Sequence, residues 1–482
     1  MACLCEDLRP QVGRATGRSC PERRISNNCI VALGRVTREV SALTGSFEVV
    51  HDSAEAGVAG HPRSRLSHAR LRGGLLLLGL VTLLNQMDRL LLSTLAEPIR
   101  RDLNLSDTQL GLLTGLAFAI FYAFCGVPLA RLADRSDRPR LLSVCLLVWT
   151  LASAVSGFVA NFTQLLLARI VVAIGEAGTQ PAGHTLIADY FPETRRASSM
   201  AVMAAGGSLG AMGALAVGGM LAEAIGWRAT IAVIGLAGIP VAIACWLFMP
   251  EPRRNGAIAV SGDRESALSL LGCIKVLVRS PTYLLLTATA TLSVLPGYAA
   301  LSWAPAFFMR TFGLSVGEIG LRLGLLTGVG TLTGHMLTGW LSDRAARSGP
   351  GRMMTVPLVT VLLLGPTLTV SFMLPSATLA LAFYFIPVAL SIMWYAPVFA
   401  SIQTTTPPKL RAQAAALTLL ISNMCAIGVG PTVVGIISDA LRPQLGNDSL
   451  RLALIVIANL SVFGAVAAFF AARSMCKDAL RP

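Results

Sequence analysis

Twelve apolar stretches, most of them about twenty residues long, succeed one another between residues 71 and 472. A run of ~20 residues rising ~1.5 Å each matches the ~30 Å of hydrocarbon in a bilayer. Inside hydrocarbon a spanning segment has to satisfy its own backbone groups, which leaves helices or closed barrels. These runs are continuous and glycine-rich, without the alternation of barrel strands. The expected fold is an all-α membrane protein of about twelve transmembrane helices, near 71–95, 107–129, 141–160, 163–188, 197–222, 227–249, 282–308, 316–341, 353–374, 376–405, 411–438 and 450–472. Composition agrees. Hydrophobic residues make up 54% of the chain and charged ones 13%, against ~25% charged in soluble domains.

Boundary signals support these limits. "SDTQ" at 106–109 has the form of a capping box opening the second helix, and "NFT" at 161–163 reads as a tight polar turn. "PEPRRNGAIAVSGDRES" at 250–266 is the longest polar stretch among the spans. It divides the chain into two six-helix bundles, 71–249 and 282–474, joined by a loop at 250–281 and followed by a tail at 475–482.

Charge sets an expected orientation. If the first helix enters from the cytoplasm, the loops on that side and the tail carry nineteen Lys or Arg. The opposite loops carry seven: Arg100, Arg101, Arg228, Arg310, Arg322, Arg442 and Arg451. That asymmetry follows the positive-inside rule. The net charge of +14 is then a topological label facing anionic lipid, and no nucleic acid is needed to explain it. Both termini are expected in the cytoplasm, the protein being a multi-pass component of the cell membrane, the bacterial inner membrane in the first instance.

The first seventy residues differ, with ten Arg, no Lys, four Cys and no long apolar run. They lack the apolar region of a signal peptide, and Glu6, Asp7 and Glu22 argue against a transit peptide. They read as a disordered cytoplasmic extension or as the product of a mis-assigned start codon. The ten cysteines form no C-x-x-C pair. Cys125, Cys145, Cys245 and Cys425, inside spans, read as small apolar groups.

Several chemistries are excluded. The three lysines, Lys275, Lys409 and Lys477, do not follow glycine, so there is no Walker A loop to bind nucleotide. "GGSLG" at 206–210 fits the nucleophile-elbow pattern but lies inside the helix "AAGGSLGAMGALAVGG", where small residues let helices approach closely. No metal cluster, dinucleotide loop or catalytic set appears. The expectation is no enzyme and no cofactor.

"ARLADRSDRPR" at 130–140 packs six charged residues between two apolar runs. A second copy, "GWLSDRAAR" at 339–347, aligns Asp343 with Asp134 and Arg344 with Arg135 at an offset of 209 residues. "LGLLTG" also occurs twice, at 110–115 and 323–328. Matching features in two six-helix halves indicate a duplicated transporter.

These residues carry a resemblance. "ARLADRSDRPR" resembles the loop motif G-x-x-x-D-R/K-x-G-R/K-R/K of the major facilitator superfamily, with Ala130 and Asp137 in place of its glycines. "LNQMDRLLLSTLAEPIRRDLNLSDTQLGLLTG", "LARIVVAIGEAGTQPAGHTLIADYFP", "LSWAPAFFMRTFGLS" and "PPKLRAQAAALTLLISNMCAIGVGPTVVGIISD" resemble its bacterial Spinster-like branch, over nearly everything after residue 70. The resemblance implies the major facilitator fold and a monomeric transporter working by alternating access. It also gives Asp134, Arg135, Arg138, Arg140, Asp343 and Arg344 a role as a latch holding the halves together when the cytoplasmic side is closed. An acidic side chain at such a junction can accept charge-assisted hydrogen bonds from a neighbouring helix end or an Arg.

Charges within spans are costly and mark functional sites. The first helix holds Asp88 and Arg89, the fourth Arg169 and Glu176. Asp88 and Arg169 fall at similar depth. Arg169 and Glu176, seven apart, share a face ~10 Å long. Asp88 and Arg89 point ~100° apart, so Asp88 is assigned to the cavity, with Arg89 kept as a further member of the candidate substrate and proton-coupling set. Asp88, Arg169 and Glu176 are expected to form one cluster that binds an anionic group and exchanges protons, with similarity to Spinster proteins favouring the same residues. Pro181, between Gly178 and Gly183, is expected to kink its helix. The C-terminal spans offer Tyr298, Trp303, Tyr384, Trp394, Tyr395 and Asn423 as pocket lining, with Asn85 from the first helix, while His335 reads as packed. One charged wall and one apolar wall suit an amphiphile or organic anion. A proton-coupled drug or metabolite symporter or antiporter, and a non-transporting receptor or scaffold, are the alternatives.

Overall fold

A computed structural model describes residues 68–252, 270–347, 349 and 351–479. The readings of residues 1–67 as a tail or a mis-assigned start, and most of the inter-bundle loop, fall outside them. Among the described residues all regular structure is helical. Ten helices are long and apolar enough to cross a membrane. One of them, Ser198–Phe248, is two spans joined at Gly226, whose φ of +80° breaks the helix. With Val316–Ala346 the spans number twelve: α1 Ala69–Thr94, α2 Asp107–Ala133, α3 Arg138–Ser156, α4 Phe162–Tyr190, α5 at 198–225, α6 at 227–248, α7 Pro281–Phe312, α8 Val316–Ala346, α9 Arg352–Met373, α10 Ala377–Thr405, α11 Arg411–Leu445 and α12 Asp448–Asp478.

Local chemistry explains the boundaries. Ser106 and Gln109 form a reciprocal capping box at the start of α2, with bonds of 3.1 and 3.0 Å. Asn161 caps α4 by accepting from the Gln164 amide at 3.0 Å. The first part of α4 stops at Ala177 and the second restarts at Thr179. Pro181 supplies no N–H to the Ala177 carbonyl and its ring crowds that group. Cys145 and Cys245 are buried, Cys125 and Cys425 partly so, all as free thiols.

The small-residue stripe of α5 lies against α1. A Cβ at Gly210 would stand 2.1 Å from the Leu83 carbonyl oxygen, a contact with backbone that no rotamer relieves. Gly210→Val should therefore cost at least ~3 kcal/mol, the upper end of overpacking, read as a lowered Tm of the purified protein. An unchanged Tm would mean that α1 and α5 are not pressed together as seen.

The halves α1–α6 and α7–α12 meet along α2/α11 and α5/α8. Each LGLLTG copy lies on this seam, Gly115 backing onto the Gly428 carbonyl and Gly324 onto Ala216. Two π-helical turns, Leu112–Leu116 in α2 and Met424–Val429 in α11, face one another there. Thr432 Oγ1 accepts from the Leu116 amide at 3.1 Å and donates to the Gly111 carbonyl at 2.9 Å.

Candidate functional site

Four charged side chains of α1 and α4 are buried together in the N-terminal half. Arg169 Nη1 donates to Asp88 Oδ2 at 2.8 Å, and Ser153 of α3 donates to the other Asp88 oxygen. Arg89 Nε donates to Glu176 Oε2 at 2.7 Å. The Arg89 guanidinium lies 4.6 Å from the Tyr122 ring centroid and 4.9 Å from that of Phe118, and Arg169 lies 5.3 Å from Phe118. Glu176 is completely buried, and even Arg89, the most open of the four, is only 9% exposed.

The two pairs balance in charge, as burial demands, since an isolated charge in a low-dielectric interior is prohibitive. Hydrogen bonding is incomplete, however. Among the described residues, Arg89 Nη2, Arg169 Nε and Glu176 Oε1 have no hydrogen-bond partner. Such a cluster can offer two cationic N–H donors to an anion and one carboxylate oxygen to a proton.

The depth match of Asp88 with Arg169 is present as a direct ion pair. Arg89, the fourth residue of the candidate set, joins the cluster through Glu176. Asp88 turns toward α3, whereas Arg89 meets Glu176 between the α2 rings. Tyr298 of α7 lies within electrostatic reach of Arg89, Arg169 and Glu176, bringing the C-terminal half to the cluster. Asn85 is buried beside the cluster. Trp303, Tyr384 and Trp394 are corrected: they are buried in packing. Trp303 Nε1 donates to the Pro431 carbonyl at 3.0 Å, Tyr384 packs on Phe308 and Phe372, and Trp394 on Tyr395 and Phe399. Tyr395 and Asn423 are exposed. His335 is exposed rather than packed, its Nδ1 bonded to the Thr331 carbonyl at 2.8 Å.

In the charge knot, Arg138 is buried and bridges Asp189 of α4 at 2.6 Å and Glu251, at the start of the loop after α6, at 2.5 Å. Arg135 and Arg140 are exposed, Arg140 lying 5.5 Å from the Trp246 ring centroid. Asp343 and Arg344 are exposed as well. The Asp134 side chain lies outside the described residues.

A second charged cluster escaped the sequence reading. It joins the halves on the face opposite the knot. Arg310, near the end of α7, donates to Glu97 at 2.6 Å and to both Asp107 oxygens at 2.7 and 2.8 Å. Ser438 of α11 donates to Asp107 at 2.7 Å. Asp439 accepts from the backbone amides of Asp107 and Thr108, at 3.1 and 2.7 Å, capping α2 from the other half. Burial alone would push the Glu97 carboxyl up, but bonds from Arg100, Arg310 and Arg101 hold it down at about 2. One signal was available: "GIISD" at 435–439 repeats the G-x-x-S-D of "GWLSD" at 339–343.

Known proteins share the sequence pattern and the fold. The model described as Major Facilitator Superfamily matches residues 78–431. An MFS-type efflux pump of Mycolicibacterium smegmatis is 35% identical over 402 residues, covering 83% of this chain and 92% of that protein. A probable L-galactonate transporter of Escherichia coli is 25% identical, covering 84% and 90%. The crystal structure of a bacterial homolog of the human lysosomal transporter Spinster, inward-facing and unoccupied, superposes with a TM-score of 0.79 at 28% identity, covering 86% of this chain and 100% of that one.

Proposed function

The chain belongs to the major facilitator superfamily and is a Spinster-like, multi-pass membrane transporter, not an enzyme, and from that premise we propose that it moves a small organic anion or anionic amphiphile by alternating access, coupled to protons. The observation that carries this reading is the buried pairing of two arginines with two carboxylates that leaves Arg89 Nη2, Arg169 Nε and Glu176 Oε1 unspent. The arginines receive the anionic group. Asp88 and Glu176 hold them in place, and Glu176 accepts a proton when the anion displaces its partner. Tyr298 faces the cluster from the other half, so closure around substrate draws α7 toward α1 and α4.

The basic face is cytoplasmic in this reading, the membrane is the bacterial inner membrane, and the protein works as a monomer. The Arg310 cluster is then the outer gate, closed in this structure. The knot, with Asp134, Arg135, Asp343 and Arg344, latches the cytoplasmic side in the opposite state. A relative named for L-galactonate, a sugar acid, is consistent with arginine recognition of a carboxylate.

A thermal-shift screen tests the substrate class, since a ligand that binds the folded state stabilises it by RT ln(1 + [L]/Kd). Sugar acids and anionic lysolipids should raise the Tm of the wild type, and uncharged analogues should not. Arg169→Ala should reduce the shift by about tenfold in apparent affinity, the size of one lost charge-assisted bond. Equal shifts from uncharged analogues, in both proteins, would overturn anion recognition.

A further inference from the structure

Glu176, Gln180 and His184 follow one another at intervals of four along α4, from the charged cluster toward the basic face. Residues four apart stack ~6 Å from one another along a helix. On α1, Asn85 precedes Arg89 by the same interval. One turn below the Arg89–Glu176 pair, α1, α4 and α5 enclose a cavity lined by Thr82, Asn85, Thr179 and Gln180, with Leu78 and Met203 completing its wall. About 10 Å³ of it is open to the centre of a water molecule, close to what one water requires.

Asn85 is 2% exposed, yet its amide oxygen and nitrogen both lack a hydrogen-bond partner among the described residues, as does Glu176 Oε1. An unpaired buried amide group costs ~1–3 kcal/mol, and a water held by two to four polar groups relieves it. Gln180 and His184 are exposed, whereas Ala182, Gly183, Leu186 and Ile187 between and beyond them are buried. Ionisable side chains on a membrane helix face a water-filled space, not lipid. His184 has no ion pair or hydrogen bond among the described residues.

We infer that His184, Gln180 and one water ordered by Asn85 form the path by which protons reach Glu176 from the basic face. His184 collects a proton from bulk water on a ring nitrogen, as an imidazole can. The proton passes along the hydrogen bonds of Gln180 and the cavity water to Glu176 Oε1, and His184 returns to neutral. The rings of Phe118 and Tyr122 cover the α2 side of the cluster, so the cavity is the polar approach to Glu176. Glu176 is faced by Arg89 and Asp88 from α1, by Arg169 from its own helix and by Tyr298 from α7.

The path rests on the reading of Glu176 as the titrating group, and the experiment separates the two. Purified full-length protein, without substrate, is subjected to a pH jump and followed by time-resolved infrared spectroscopy. The protonated-carboxyl band of Glu176 is identified by its loss in Glu176→Gln. His184→Ala and Asn85→Leu should slow its appearance at least about tenfold, against the ~10²–10⁴-fold that a positioned proton carrier supplies, while its pH midpoint stays put. His184 is exposed, so its variant tests the path even if Asn85→Leu folds poorly. Wild-type relaxation in His184→Ala overturns the path alone. Absence of any Glu176 band between pH ~4 and ~9, a range spanning ordinary and raised carboxyl values, overturns the coupling role and the path together.

Discussion

Arg89→Ala should abolish transport and lower stability by about 3–5 kcal/mol, the penalty for stranding one member of a buried ion pair. Glu176 is completely buried and Arg89 is its ion-pair partner. The double variant Arg89→Leu/Glu176→Leu should regain most of that stability, because apolar replacement of a buried pair is often neutral or better. It should stay inactive, since the donors and the proton acceptor are gone. Chemical unfolding in detergent measures the first effect and flux in proteoliposomes the second. A double variant that transports would show that the pair serves only the fold.

Arg310→Met should open the outer face. It leaves Glu97 and Asp107, each 1% exposed, without their shared partner while the face is closed, and water can hydrate both once it parts. Truncating one partner of a buried, hydrogen-bonded charge pair costs about 2–5 kcal/mol, which moves the closed-to-open ratio by ~30-fold or more. Spin-label distances between the outer ends of α2 and α11 read the shift. Asp134→Ala should move the same distribution the other way, because it weakens the latch that holds the cytoplasmic side closed. Unchanged distances in Arg310→Met would remove the gate, and a shift in the same direction in Asp134→Ala would remove the latch. Glu97 has its pKa depressed to about 2. Arg100 and Arg101 of its own helix supply part of that depression and Arg310 the rest, so the stability that ionised Glu97 lends is complete above the ordinary carboxylate range near pH ~4.5 and fades as pH falls toward 2. Changes of pH between 5 and 8 act elsewhere.

The two clusters differ in how far sequence could reach them. Helix number and limits were legible because twenty apolar residues have one stable form in hydrocarbon. The Asp88–Arg169 pair was legible by counting residues from the helix ends. Arg89 and Glu176 were both legible as intramembrane charges, but their direct pairing was not, because the angular argument put only Asp88 squarely toward one cavity. In the fold Asp88 reaches Ser153 of α3 and Arg169 of α4, while Arg89 reaches Glu176 of α4 beside the α2 rings, so directions ~100° apart both meet polar partners. Arg310 and Asp107 are 203 residues apart, and no local pattern links them. Arg310 was visible only as one of few charges on its face, and Asp107 only as part of a cap. The aromatics show the same limit in reverse. Trp303 and Tyr384 are ordinary interior residues here, and a hydropathy profile treats packed and cavity-lining rings alike.

The central claim is that the α1–α4 cluster couples an anion to a proton. It is tested most directly by proton-gradient-driven flux of the most stabilising anion from the thermal screen, in proteoliposomes holding wild type, Asp88→Asn or Glu176→Gln. The amides keep shape and remove titration. Flux in the wild type should rise with an imposed proton gradient, and at least one amide variant should lose that response while still binding the anion. Retention of the full wild-type gradient response by both variants would contradict proton coupling through this cluster and leave a facilitated uniporter.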